Sequence, residues 1–263
     1  MRAMEVIIQP DIRQASWIAA RIIARLVRDK PQAGLGFATG KTPLALYQFL
    51  SEMHEKEGLD FSRVTSFNLD EYVGLDPSHP ASFHSFMEKY VFSRVNIPRD
   101  RIHIPDGQAV DIPAACRRFE ETITASGGID IQILGIGRDG HIGFNEPSSS
   151  LSSRTRIKTL TAETRKDHAV DFGGEKNVPF HVITMGLGTI CECRMCLLLA
   201  FGKKKAGPIA RAVEGPITAM IPASVLQLHQ SAVVILDEEA ASDLKKTDYY
   251  RWVYAHKPAW QKY

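Results

Sequence analysis

No apolar stretch in this sequence is long enough to cross a membrane; the longest lies near Met195 to Phe201. Strong charge of either sign is also missing. Lys and Arg number 32 against 30 Asp and Glu, for a net charge of +2, and no basic run exceeds Lys203-Lys204-Lys205. That balance removes the case for nucleic acid as a partner. The stretch Met1-Arg2-Ala3-Met4-Glu5 has none of the apolar core of a secretion signal, so a cytoplasmic location is expected. Internal repeats, low-complexity tracts and Gly/Ser linkers are absent, which favours one domain over residues 1–263. Cysteine is scarce, with four in the chain. Three of them form Cys191-x-Cys193-x-x-Cys196 at the head of an apolar run. With no histidine nearby in sequence, core thiols in a reducing compartment are favoured over a zinc site.

What is present is an ordinary globular composition, 44% hydrophobic and 24% charged, in a chain long enough for a sizeable core. Strand-like and helix-like stretches alternate. Glu5 to Gln9, Gly34 to Ala38, Val64 to Leu69, Ile129 to Ile136, Arg156 to Leu160, Val182 to Met185, Met195 to Phe201 and Ala232 to Leu236 read as strands. Asp11 to Asp29, Thr42 to about Lys56, Ser82 to Phe92, Asp111 to Ala125, a short segment near Glu163 and Lys204 to Val213 read as helices. The pattern predicts an α/β fold with an open, mostly parallel Rossmann-like sheet and helices on both faces. In such sheets ligands bind beyond the carboxyl ends of the strands, so those loops carry the chemistry.

Three loops stand out. The first, Thr39-Gly40-Lys41-Thr42, ends like a nucleotide-binding P-loop. The spacing argues against it: only three residues separate Gly36 from Gly40, and Leu35 stands where the loop needs its first glycine. A strand, a Thr-Gly turn and a helix start instead offer free N–H groups and a dipole end suited to one phosphate, or else form a plain strand-to-helix turn. In the second, Asp70 and Glu71 leave a buried strand, where a carboxylate must face a cleft, be paired or cap a helix. The third, Leu134 to Pro147, sets Asp139, His141, Asn145 and Glu146 among four glycines. Two carboxylates around one imidazole raise its pKa and fix its tautomer, as acid–base catalysis needs. The same donors suit a metal, which is the alternative reading.

The segments "FNLDEYVGL", "GRDGHIGFNEP", "SSLSSRTRIKTL" and "MGLGTI" closely resemble the glucosamine-6-phosphate deaminases, and the similarity runs over nearly the whole chain. The resemblance implies an enzyme that isomerises an amino-sugar phosphate and hydrolyses off ammonia, with no metal and no cofactor. It implies that His141 opens the sugar ring, with Asp139 and Glu146 orienting it, and that Asp70 moves the C2 proton, with Glu71 in support. Phosphate would be held by Thr39, Gly40, Lys41, Thr42 and Lys205. Two departures are visible: Lys41 stands where the family has Gly or Ser, and Val170 where it commonly has an arginine. Lys41 is expected to replace part of that charge. Arg156, Lys158, Thr159 and Tyr250 match positions that bind an allosteric N-acetylglucosamine 6-phosphate in hexameric members; a solvated basic strand edge is the alternative. Hexamer and monomer, and gluco and galacto substrates, all stay open. A 6-phosphogluconolactonase or a non-catalytic sugar-phosphate sensor would share the fold.

Overall fold

The structure is a computed structural model describing residues 4–263; Met1 to Ala3, part of the stretch read above for a leader, lie outside the described residues. The chain opens with β1 (Glu5–Gln9), and the Asp11 carboxylate accepts from the Gln14 N–H to start α1 (Ile12–Asp29). β2 (Gly34–Phe37), α2 (Leu44–Glu57), β3 (Thr65–Asn68) and β4 (Asp70–Tyr72) follow. Helix α2 begins two residues later than the sequence pattern implies, because Lys41 to Pro43 are spent in a turn before it.

Ser82 caps α3 (Phe83–Met87), which runs on as a π-helical turn over Glu88–Phe92, so the single helix expected there is of two kinds. Then come β5 (Ile102–His103), α4 (Ile112–Ala125), β6 (Ile131–Leu134), β7 (Arg156–Thr159) and α5 (Ala162–His168). The last third holds β8 (His181–Thr184), α6 (Leu187–Cys191), β9 (Met195–Ala200), α7 (Ala206–Glu214), β10 (Ala232–Asp237), α8 (Glu238–Ala241) and α9 (Thr247–Ala255).

Seven strands form one sheet in the order β1-β10-β9-β6-β2-β3-β5, and every neighbouring pair is parallel. Its central strands are buried on both faces, as their unbroken apolar runs require. The order brings the carboxyl ends of β9, β6, β2 and β3 side by side. Those four ends carry Lys205, the glycine-rich loop, the Thr39 turn and Asp70 respectively.

A second, antiparallel sheet of β4, β8 and β7 was not legible as such. Its core is separate: Tyr72, Phe83, Phe144, Leu160, Val178 and Val182. β4 leaves the end of β3 after one residue, Leu69, and pairs Asp70 with Thr184. The carboxylates read as the tail of a parallel strand therefore sit inside a strand of another sheet. No helix among the described residues is long and apolar enough to cross a membrane.

Candidate active site

Asp70 and Glu71 are adjacent, both buried, and differently employed. Side chains alternate along a strand, so they leave β4 on opposite faces. Glu71 accepts from the backbone N–H groups of Tyr72, Phe83 and His84, holding the start of α3. Burial raises its pKa and those three donors oppose the rise. The Asp70 carboxyl, 5% exposed, has no hydrogen-bond partner among the described residues. Burial, then the charge of Glu71, push its pKa up to about 8, against the pull of His141.

The glycine-rich loop brings the second group of candidate side chains to Asp70. Its backbone passes so close that a Cβ added at Gly143 (φ 56°) would lie 2.9 Å from Thr184 Oγ1 and 3.7 Å from Asp70 Oδ2. A Cβ at Gly137 would lie 2.2 Å from the His141 ring, so the imidazole rests directly on that backbone. Asn145, fully buried, ties the loop down by donating to the carbonyls of Ile142 and Met185, while the Phe144 N–H donates to Thr184 Oγ1.

Around the imidazole, His141 Nδ1 lies 2.7 Å from Asp139 Oδ1 and 3.4 Å from Glu146 Oε2. Nδ1 thus faces both carboxylates at once, and their hydrogen bonding and their charge both favour the protonated ring. Burial alone would lower the His141 pKa; the two carboxylates outweigh it and raise it to about 9. Burial works on Asp139 in the other direction, but His141 and Glu146 hold its carboxyl below the ordinary value. Glu146 is anchored by the Thr164 hydroxyl at 2.6 Å, from α5. With both carboxylates at Nδ1, Nε2 is the ring nitrogen left for chemistry.

On the other side of the site, Gly40 (φ 99°) makes the left-handed bend after Thr39, and no side chain caps the N-terminus of α2. Beneath that bend the buried Tyr47 hydroxyl donates to the Ala38 carbonyl at 2.5 Å. Thr42 is half-buried, and Lys41 is exposed with no side-chain partner among the described residues. Lys205, at the start of α7, donates to the Ile136 carbonyl at 2.6 Å, and burial lowers its pKa. Arg138, which the sequence pattern did not single out, is a close positive neighbour of Lys205 and lies 3.8 Å from Asp167 on α5. An arginine within a glycine-rich loop was the available signal. Val170 is 87% exposed.

The four residues matched to regulation are held in two places. Arg156 and Lys158 are half-buried on the inner face of β7, while Ile157 and Thr159 face out. Arg156 donates to Asn145 Oδ1 at 2.8 Å and also lines a groove of about 520 Å³ between α4 and β7. Burial lowers the pKa of both cations, with Glu146 supporting the charge on Lys158. Arg156 thus touches the glycine-rich loop, and Lys158 lies near enough to it to feel the charge of Glu146. Tyr250 sits on α9, which packs on β1, and donates to Glu214 Oε1.

Residues 12–235 match the family described as glucosamine-6-phosphate isomerases/6-phosphogluconolactonase. This chain belongs to that family. A glucosamine-6-phosphate deaminase of Arthrobacter sp. (strain FB24) is 53% identical over 98% of this chain and 99% of its own length. One from Streptomyces coelicolor is 51% identical over the same shares. A solved monomeric glucosamine-6-phosphate deaminase superposes with a TM-score of 0.89 at 44% identity, covering 91% of this chain and all of its own. The 6-phosphogluconolactonase of Trypanosoma cruzi, at 19% identity and a TM-score of 0.74, shares the fold.

Proposed function

We propose that this chain is a glucosamine-6-phosphate deaminase, which converts glucosamine 6-phosphate and water to fructose 6-phosphate and ammonia. The observation that carries the reading is the Asp70 carboxyl, buried and without a hydrogen-bond partner among the described residues, against the glycine-rich loop that holds His141 between two carboxylates. Such a pair suits a reaction that first gives a proton to an oxygen and then takes one from carbon.

The phosphate docks on the Thr39–Thr42 turn and the start of α2, with Lys205 as counter-charge. His141 Nε2 moves a proton between the ring oxygen and the C1 hydroxyl, and the sugar opens. The C1 aldehyde makes the C2 proton acidic. Burial favours the protonated Asp70 carboxyl; the substrate's ammonium group, arriving at C2, favours the carboxylate and releases the proton. Asp70 then takes the C2 proton and delivers it to C1. Water adds to the resulting C2 ketimine, and ammonia leaves. Asp139 and Glu146 keep His141 charged and oriented, and Glu71 supports Asp70 by fixing α3.

Lys41, with Arg138 beside Lys205, supplies the charge that an arginine at position 170 would have given. Lysine is a point charge without a planar fork, so phosphate would be held less directionally. Regulation by an acetylated amino-sugar phosphate, through Arg156, Lys158, Thr159 and Tyr250, belongs to the same reading only in an assembly that joins their two locations. A rate curve unchanged by that sugar removes it. The monomeric relative favours a monomer over a hexamer, which sedimentation measures. A cytoplasmic location fits a charged sugar-phosphate substrate.

A lactonase needs no carboxylate over C2, and a sensor needs no acid–base pair. Ammonia release is the deciding assay, run on glucosamine 6-phosphate beside galactosamine 6-phosphate, with hydrolysis of 6-phosphogluconolactone measured in parallel. Ammonia from the gluco sugar with an inert lactone supports the reading; lactone hydrolysis without ammonia overturns it.

A further inference from the structure

The sequence places no histidine beside the three clustered cysteines, and the fold corrects that. β10 pairs with β9 so that Ala232 faces Cys196, and the approach to β10 carries His229 onto Cys193. Cys193 Sγ is 3.4 Å from Cys196 Sγ and 3.8 Å from His229 Nε2, and all three residues are buried. None of them is used by the reaction above, since they lie at the opposite end of β9 from Lys205.

The ligand atoms of the three lie within 4.8 Å of one another, as a metal ion would require. The hydrogen bonds argue otherwise. His229 Nδ1 accepts from the Ser231 N–H at 3.0 Å, so the ring proton sits on Nε2, which donates to the Cys193 carbonyl at 2.9 Å. A metal on Nε2 would need that proton gone while Nδ1 stays unprotonated, which neutral imidazole cannot provide. The same Nε2–H instead faces the Cys193 sulfur as a positive dipole. Cys196 and His229 together hold the Cys193 thiol below the ordinary range against the cost of burial, whereas burial raises Cys196. One sulfur is thus the nucleophile and its neighbour the reserve thiol. Access exists: Cys193 lines a surface groove of about 340 Å³ with Gly127, Gly128, Ile129, Thr189 and Glu192.

We infer that Cys193 and Cys196 form a peroxide-oxidisable dithiol, with Cys193 the attacking and Cys196 the resolving residue. The Cys193 thiolate attacks one oxygen of hydrogen peroxide; an S–O bond forms, the O–O bond breaks, and the departing hydroxide takes a proton to become water. The Cys196 thiol, giving up its proton, attacks the sulfenic sulfur; an S–S bond forms and the S–O bond breaks, releasing a second water. Two thiols are oxidised and one peroxide is reduced.

Hydrogen peroxide added to the reduced full-length chain, followed by intact-mass analysis and peptide mapping, tests this. The expected product is lighter by two hydrogen atoms and cross-linked between Cys193 and Cys196. Cys196→Ser should stop at a Cys193 sulfenic acid that dimedone traps, Cys193→Ser should give neither product, and Cys191→Ser should cross-link like wild type. His229→Gln should slow the reaction roughly tenfold, the effect of one unit in thiol pKa on thiolate fraction. A wild-type chain that stays reduced, a first oxidation at Cys191 or Cys116, or one tightly bound zinc ion blocking both thiols would overturn the assignment.

Discussion

Two histidines sit at opposite ends of the same parallel sheet, each beside two acidic groups, and they are held differently. His141 stands beyond the carboxyl end of β6 with both carboxylates at Nδ1 and no hydrogen-bond partner at Nε2 among the described residues. His229 lies at the foot of β9 with both ring nitrogens in backbone hydrogen bonds. The first ring is held towards its charged form by two carboxylates; the second has both nitrogens committed to the backbone. The difference teaches that proximity of acid and imidazole does not make a proton relay. An unoccupied nitrogen does. The same contrast separates Asp70 from Glu71, one residue apart: three backbone donors commit Glu71 to structure, and Asp70 has none among the described residues.

Substitutions can break this comparison. The largest effect is expected from Asp70→Asn, which should lower kcat for ammonia release by about 10²–10⁴, the usual worth of a positioned base; Glu71→Gln should instead cost thermal stability first. His141→Gln comes next, with a loss of at least about 10² on the closed sugar. Its deficit should shrink on a substrate analogue fixed in the open-chain form, and an equal loss on both would remove ring opening from its role. Lys41→Ala should raise KM several-fold with kcat nearly constant, because a phosphate contact is shared by ground and transition states. An unchanged KM rejects Lys41 as a phosphate ligand. The smallest effect belongs to the other histidine: His229→Leu should leave kcat and KM at wild-type values. It should lower stability by about 1–3 kcal/mol through the two orphaned backbone groups, read as a drop in Tm.

Much of the site was legible because it is local. Asp139, His141 and Glu146 fall within one glycine-rich loop, and glycine spacing announces a backbone that folds back on itself. The parallel sheet was legible from its apolar runs. What stayed hidden depends on pairing between distant segments. β4 turns away from β3 after Leu69 into an antiparallel sheet, so alternation of strand and helix could not show that Thr184 and Gly143 would flank Asp70. For Arg156 and Lys158 a regulatory site and a basic edge stayed equally open, because a strand of alternating polar and apolar residues does not reveal which face meets another loop. His229 is 33 residues from Cys196, and only the β9–β10 register joins them.

Carbon-13 NMR of labelled aspartate carboxyls in the substrate-free enzyme reads the protonation of Asp70 directly. The account predicts that the Asp70 resonance, assigned by its loss in Asp70→Asn, titrates with a midpoint of about 8. A midpoint near 4, the ordinary range for an exposed aspartate, would contradict it.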